Sequence, residues 1–298
     1  MEKLFAGIFA ALTTPFVKDE VSTERLKENI REYNRTGLAG YVILGSTGEA
    51  VFLSDGESER LIAAAVESAS PDKIVIAGTS HESAKHTIGF SNRAAAAGVR
   101  AVLIKPPHYY KSRMNPEALR SYYLTVAEHV KVPVIIYNFP QNCLISVDPP
   151  LAIELARHAN ISGIKDSSGV LANLTEVLPR VKPDFDFLMG HGSVILPGLT
   201  MGARGGVLAM AAAVPELCVK LYELFQNGEI EAAKKLQFDL VPLNKVLTQT
   251  QGIPAIKHAM DMRGFQGGPP RLPLLPLDER GKDEVAGLLK KLAVPTIS

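Results

Sequence analysis

Ile161-Ser162-Gly163-Ile164-Lys165-Asp166-Ser167-Ser168-Gly169 is the stretch whose reading decides the fold. Its first half is a short apolar run with the composition of a buried strand, and Asp-Ser-Ser-Gly reads as a turn into a helix. A lysine therefore stands at the carboxyl end of a buried strand. Burial disfavours the ammonium form, so a lysine there can supply a neutral amine, which can attack a ketone and form a Schiff base. On spacing alone the plainer reading is favoured, a lysine that carries its ammonium from the strand end to water. The rest of the chain shifts that balance.

Outward from this stretch, the same strand-then-helix unit recurs on both sides. Upstream, apolar runs at 132–136, 99–104, 73–77, 41–44 and 7–12 end in Tyr137-Asn138, Pro106-Pro107-His108-Tyr109-Tyr110, Gly78-Thr79-Ser80, Gly45-Ser46-Thr47-Gly48-Glu49 and Thr13-Thr14-Pro15. Downstream, the runs at 185–189 and 205–209 follow, the first ending in Gly190-His191-Gly192. Helical patterns at 22–36, 54–68, 82–97, 115–130, 148–158, 171–181, 193–201 and 215–226 alternate with them. Ser22, Asn115 and Asp148 are candidate N-caps, the last two followed by a proline at the first helical position. Near-continuous apolar strands are those of a sheet buried on both faces. Eight such units predict an α/β fold, a closed (β/α)8 TIM barrel. An open doubly wound sheet is disfavoured, because no glycine fingerprint follows the first strand. Beyond residue 228 only helical patterns remain, at 229–248, 254–263 and 278–292, with a proline-rich connection at 267–276. The expected division is a barrel over 1–228 and a C-terminal helical extension over 229–298.

Composition narrows the partners. The 298 residues are 46% hydrophobic, enough for a sizeable core, and the net charge is +1. No basic run invites nucleic acid or an anionic membrane, and no apolar run reaches spanning length, so neither partner is expected. Cys143 and Cys218 show no metal or redox spacing, and their scarcity fits a reducing compartment. Residues 1–5 move almost at once into strand-like sequence and leave no room for a targeting peptide, so a cytoplasmic location is expected. The seven histidines are scattered without ligand spacing, and no metal site is expected.

In such a barrel, active sites form at the carboxyl ends of the strands. The polar residues there include Thr13, Thr14, Ser46, Thr47, Thr79, Ser80, Tyr109, Tyr110, Tyr137, Lys165 and His191. Lysine, tyrosines and small hydroxyls suit one task together: imine formation, proton shuttling and carboxylate binding. Lys105 also ends a strand and competes with Lys165, although alternation allows it to point into the helix layer. Lys257 lies in a helical pattern and is expected to face solvent. Glu49 is read as a structural hydrogen-bonding residue, and Gly190-His191-Gly192 as a tight turn before a phosphate site.

At these residues the chain resembles the dihydrodipicolinate synthase and N-acetylneuraminate lyase family of pyruvate-dependent class I aldolases. The resemblance runs from about residue 7 to 275 and rests on Thr13-Thr14-Pro15-Phe16, Gly45-Ser46-Thr47-Gly48-Glu49, Tyr137-Asn138-Phe139-Pro140, Gly163-Ile164-Lys165-Asp166-Ser167-Ser168 and Gly267-Gly268-Pro269-Pro270-Arg271-Leu272-Pro273-Leu274. It implies Lys165 as the Schiff-base lysine, Tyr137 as the acid/base tyrosine and Ser46 as the relay hydroxyl. Tyr109, with Tyr110 as the alternative, is implied as a relay tyrosine reaching a neighbouring copy. Substrate contacts are implied at Thr47, Ser167, Asn142, Gly190 and Leu208. It further implies a 2-oxo acid substrate, no cofactor, and a homotetramer or dimer of dimers. One departure bears on substrate. The synthases carry an arginine two residues after the proline of the Tyr-Asn-x-Pro motif, for the carboxylate of aspartate semialdehyde; here that position is Asn142. The Arg113-Met114 loop and Pro140-Gln141-Asn142 look more like 4-hydroxy-2-oxoglutarate aldolase, with aldolases of 2-keto-3-deoxy sugar acids as close alternatives. The expected reaction is reversible cleavage of a 4-hydroxy-2-oxo acid to pyruvate and an aldehyde. Condensation of pyruvate with aspartate semialdehyde is the alternative, and a catalytically silent binding or regulatory relative is a further one.

Overall fold

The structure is a computed structural model that describes residues 5–294 and 296; the expectation for residues 1–4 lies outside them. Eight parallel strands close into a barrel: Gly7–Ala11, Gly40–Ile43, Ile74–Gly78, Ala101–Ile104, Val134–Asn138, Ile161–Asp166, Asp186–Met189 and Gly205–Leu208. The first strand closes the ring by pairing Gly7 with Gly205 on one side and Phe9 with Gly40 on the other. Strand alternation sorts the core into two layers. Phe9, Val42, Ile76, Leu103, Ile135, Leu188 and Val207 fill the barrel, while Ile8, Ile43, Val102, Ile136 and Ile164 face the helices. The (β/α)8 expectation holds.

Local chemistry explains the helices that frame the ring. Ser54 and Glu57 form a capping box at the start of Asp55–Ser68, and Ser22, Asn115 and Asp148 cap their helices as expected. The helix after the Lys165 strand is shorter than its pattern. It runs over Leu171–Val177 and tightens into a 3-10 turn at Leu178–Arg180, where Pro179 cannot donate a helical hydrogen bond. A two-stranded hairpin pairing Phe16–Val17 with Glu20–Val21 was not anticipated.

The C-terminal helices pack onto the barrel rather than trailing from it: Leu240, Leu243, Ala255, Ile256 and Val285 belong to the same buried cluster as the outer strand faces. The expected continuous helix over 229–248 is instead Ile230–Lys245 followed by a π-helical turn at Val246–Thr250. Helices Ile253–Met262 and Glu279–Lys291 complete the region. Lys257 does not face solvent. It is 1% exposed, with Nζ 2.6 Å from Glu49 Oε1, and it donates to the carbonyls of Thr14 and Pro269 at 2.8 Å each. Helical periodicity cannot distinguish a cation paired with a distant carboxylate from one in water, and this caused the error. The Arg271 amide donates to Glu49 Oε2 at 2.8 Å, and its guanidinium reaches Glu57 Oε1 at 2.7 Å. Glu49, structural as expected, thus ties the Gly45–Glu49 turn to the C-terminal helices and the proline-rich segment. Among the described residues no helix is long and apolar enough to cross a membrane.

Candidate active site

Lys165 and Tyr137 lie on adjacent strands in direct register, so alternation turns both side chains the same way. The Lys165 Nζ lies 4.1 Å from the centre of the Tyr137 ring. Lys165 is 4% exposed, and burial alone pushes its ammonium down from 10.5 to about 7. The neighbouring Asp166 does not hold that charge in place. Its oxygens accept from the Ser168 amide at 2.7 Å and from Asn173 Nδ2 at 3.0 Å, which shapes the turn instead. Tyr137 is buried too, and burial raises its phenol to about 12 against the opposing hydrogen bonds of Ser46 and Ser167. Its hydroxyl lies 3.4 Å from Ser46 Oγ. At Gly190 the chain passes so close to the Lys165 turn that a Cβ would fall 2.0 Å from Ser167 Oγ. Only glycine allows the Gly190 amide its 2.7 Å bond to the Asp166 carbonyl.

A cavity of about 760 Å³ opens above these groups at the carboxyl end of the barrel. Lys165, Tyr137, Ser46, Thr47, Ser167, Asn142 and Gly190 all line it, as the sequence led us to expect. Leu208 does not. Val207 and Ala209 line the cavity, and alternation sends the Leu208 side chain between them outward into the helix-facing core. Tyr109 is 75% exposed and lies off the cavity of its own chain, with its ring against Tyr110. Lys105 points neither into the helix layer nor at Lys165. It lines a second cavity of about 250 Å³, which shares Ser46 and Tyr137 with the first. There its Nζ lies 3.1 Å from His108 Nδ1 and 3.9 Å from Glu82.

The sequence reading missed the far side of the main cavity. Thr248, Gln249 and Gln251 from the π-helical turn and its exit line it, as do Ile253 and Ile256, and Leu274 and Leu275 from the proline-rich segment. Tertiary packing brings this wall over the barrel mouth; the only local signal is Gly252, at φ 70°, just before the next helix. Chemically, the site joins an amine that titrates near neutrality, a protonated phenol and a hydroxyl within reach of it. That set can form an imine and move a proton beside it.

Residues 4–292 match the model of the dihydrodipicolinate synthetase family. A 4-hydroxy-tetrahydrodipicolinate synthase of Methanosarcina barkeri is 36% identical over 294 residues, covering 98% of this chain and 99% of its own. The crystal structure of dihydrodipicolinate synthase from Aquifex aeolicus superposes with a TM-score of 0.93 at 28% identity, over 99% of this chain and 100% of that one. A prophage protein of E. coli K12 from the dihydrodipicolinic acid synthase family, solved in complex with pyruvate, gives a TM-score of 0.92 at 28% identity, over 98% and 99% of the two chains.

Proposed function

Because this chain belongs to the dihydrodipicolinate synthetase family, and is therefore a carbon–carbon lyase of the class I aldolase type, we propose that it reversibly cleaves a 4-hydroxy-2-oxo acid to pyruvate and an aldehyde through an imine on Lys165. The neutral Lys165 amine attacks the C2 ketone; the oxygen leaves as water with one proton from the amine and one delivered by Tyr137 through its Ser46 relay, and the protonated imine remains. Tyr137 takes the C4 hydroxyl proton while the C3–C4 electron pair moves toward the imine nitrogen. The aldehyde departs, and an enamine remains on the lysine. A phenol raised to about 12 does not stand as phenolate at neutral pH. It accepts the substrate proton as it passes its own to Ser46, its hydroxyl neighbour at 3.4 Å. Protonation of C3 and addition of water then release pyruvate and the free amine. Thr47 contacts the oxo-acid carboxylate, and Ser167, which also lines the cavity, offers a hydroxyl to the distal end of the substrate. Tyr109 of a second copy extends the relay from Ser46, in a homotetramer built from dimers.

The observation that carries cleavage over condensation is Asn142. Among the described residues no arginine lines the cavity, and Asn142 stands where an arginine would hold the carboxylate of aspartate semialdehyde. A hydrogen bond to a charged group contributes roughly 1.5–3 kcal/mol against about 0.5–1.5 for a neutral one. Capture of that substrate is therefore weaker by about an order of magnitude or more. The relatives favour the second reading, condensation of pyruvate with aspartate semialdehyde, since those matched carry the synthase name. One preparation separates the two. We expect kcat/KM for cleavage of 4-hydroxy-2-oxo acids to exceed that for condensation, and Asn142→Arg to raise condensation by about tenfold. Efficient condensation by the native protein with little cleavage of any such acid would establish the synthase reading instead.

A further inference from the structure

We infer that Glu82 is a positioning residue of the proton relay: it fixes the backbone of Tyr109, and with it the point from which that phenol reaches the site of a second copy. This rests on the reading of Tyr109 given above. Tyr109 follows the strand Ala101–Ile104 and Glu82 follows its neighbour Ile74–Gly78, so the two loops lie side by side at the barrel mouth. Glu82 Oε2 accepts from the amides of His108 and Tyr109, at 2.9 Å each. Two successive N–H groups turned toward one oxygen form a small concavity suited to an anion. Nearer the strand, Ser80 Oγ accepts from the Lys105 amide at 2.7 Å. Pro106 and Pro107 have no N–H to give. Every backbone donor from 105 to 109 is therefore taken by Ser80 or Glu82. The next residue bonds locally, the Tyr110 carbonyl accepting from the Arg113 amide at 2.9 Å.

Hydrogen bonds carry this placement because packing does not. The exposed Tyr109 ring stands edge-on against that of Tyr110, itself exposed. With both rings in water, the amide bonds decide where the loop tip sits. Glu82 keeps the charge that this needs. Burial works against ionisation, but the amides of Tyr109 and His108, with the His108 and Lys105 side chains nearby, outweigh it and hold the carboxyl below its usual range. The second oxygen, Oε1, lies 2.9 Å from His108 Nδ1 and 3.9 Å from Lys105 Nζ. One carboxylate thus holds the loop by backbone and side chain together. Glu82, Lys105 and His108 also line the small cavity that Ser46 and Tyr137 share, so the carboxylate stands on the relay side of the site.

The test is a double-mutant cycle between Glu82→Ala and Tyr109→Phe, with Glu82→Gln alongside. kcat and KM are measured in whichever direction, cleavage or condensation, the native protein runs. Borohydride trapping of pyruvate on Lys165 shows that each variant keeps a folded site. Tyr109→Phe is expected to lower kcat about 10²-fold or more. Glu82→Ala is expected to lower kcat by about 10- to 100-fold, the effect of a misplaced relay group, with KM and trapping nearly unchanged. Glu82→Gln keeps a carbonyl oxygen for the two amides and should stay within about threefold of native. In the Tyr109→Phe background, Glu82→Ala should lower kcat no more than about twofold further, since the group it places is already gone. Near-native kcat in Tyr109→Phe, or a native protein without turnover in either direction, overturns the relay reading and this assignment together. With Tyr109→Phe slow, any of four results overturns the assignment of Glu82 alone: near-native Glu82→Ala, trapping lost in Glu82→Ala, losses that multiply in the double variant, or Glu82→Gln as slow as Glu82→Ala.

Discussion

At the scale of single residues, the chemistry turns on a lysine that the fold holds against its own preference for charge. Lys165 has a folded pKa of about 7 against an ordinary 10.5. Between those values the unfolded chain binds a proton that the folded chain does not, so this group makes stability rise as pH climbs from about 7 to 10.5. Below that window its burial is a cost of several kcal/mol, at roughly 1.4 kcal/mol per unit. Lys165→Met is therefore expected to be more stable than the native protein at pH 7, with the gap closing toward pH 10; equal melting shifts at both pH values would contradict the assigned titration. Activity carries the same signature, with kcat/KM rising as pH passes through about 7 and the amine is freed. Tyr137→Phe separates proton transfer from imine formation. Turnover should fall about 10²–10⁴-fold while borohydride still traps pyruvate on Lys165, and near-native turnover would remove the tyrosine from its role.

At the scale of elements, the barrel was legible because strands buried on both faces leave continuous apolar runs, and because Ser22, Asn115 and Asp148 announce the helices they cap. The strand-end residues could be read for the same reason: once Ile161–Asp166 is a barrel strand, Lys165 must lie near the mouth. What could not be read depends on partners distant in the chain. The hairpin of Phe16–Val17 and Glu20–Val21 turns through Lys18 and Asp19 at φ 52° and 68°, with no glycine to mark it. Leu208 was assigned to the cavity although its neighbours Val207 and Ala209 face it, a one-residue error that reverses the side. Lys257 looked like a surface lysine because Glu49 lies in another part of the sequence. Lys257→Met leaves the Glu49 carboxylate buried without its cation, and breaking a buried pair this way costs about 3–5 kcal/mol. Adding Glu49→Gln should recover part of that loss in denaturant unfolding. A double variant as unstable as the single one would mean that the pair does not act as a unit.

At the scale of the whole molecule, Tyr109 and Tyr110 are 75% and 70% exposed on a loop directed away from their own main cavity. Two aromatic rings presented to water suit a contact between copies, and the small cavity that shares Ser46 and Tyr137 with the main one is also lined by His108 of the same loop. If Tyr109 serves a second copy, mixing inactive Tyr109→Phe with inactive Lys165→Ala under subunit exchange restores some activity, because one site in each mixed dimer regains both residues. No recovery despite demonstrated exchange would mean that each chain completes its own site. The closure of the ring has a different consequence, felt during synthesis. The first strand pairs early with Gly40–Ile43, but its other edge waits for Gly205, roughly two hundred residues later. At about 5–20 residues per second, that edge leaves the ribosome some 10–40 seconds before its partner exists. For that interval one edge of an apolar strand has no partner in the nascent chain, and the finished ring pairs and buries it.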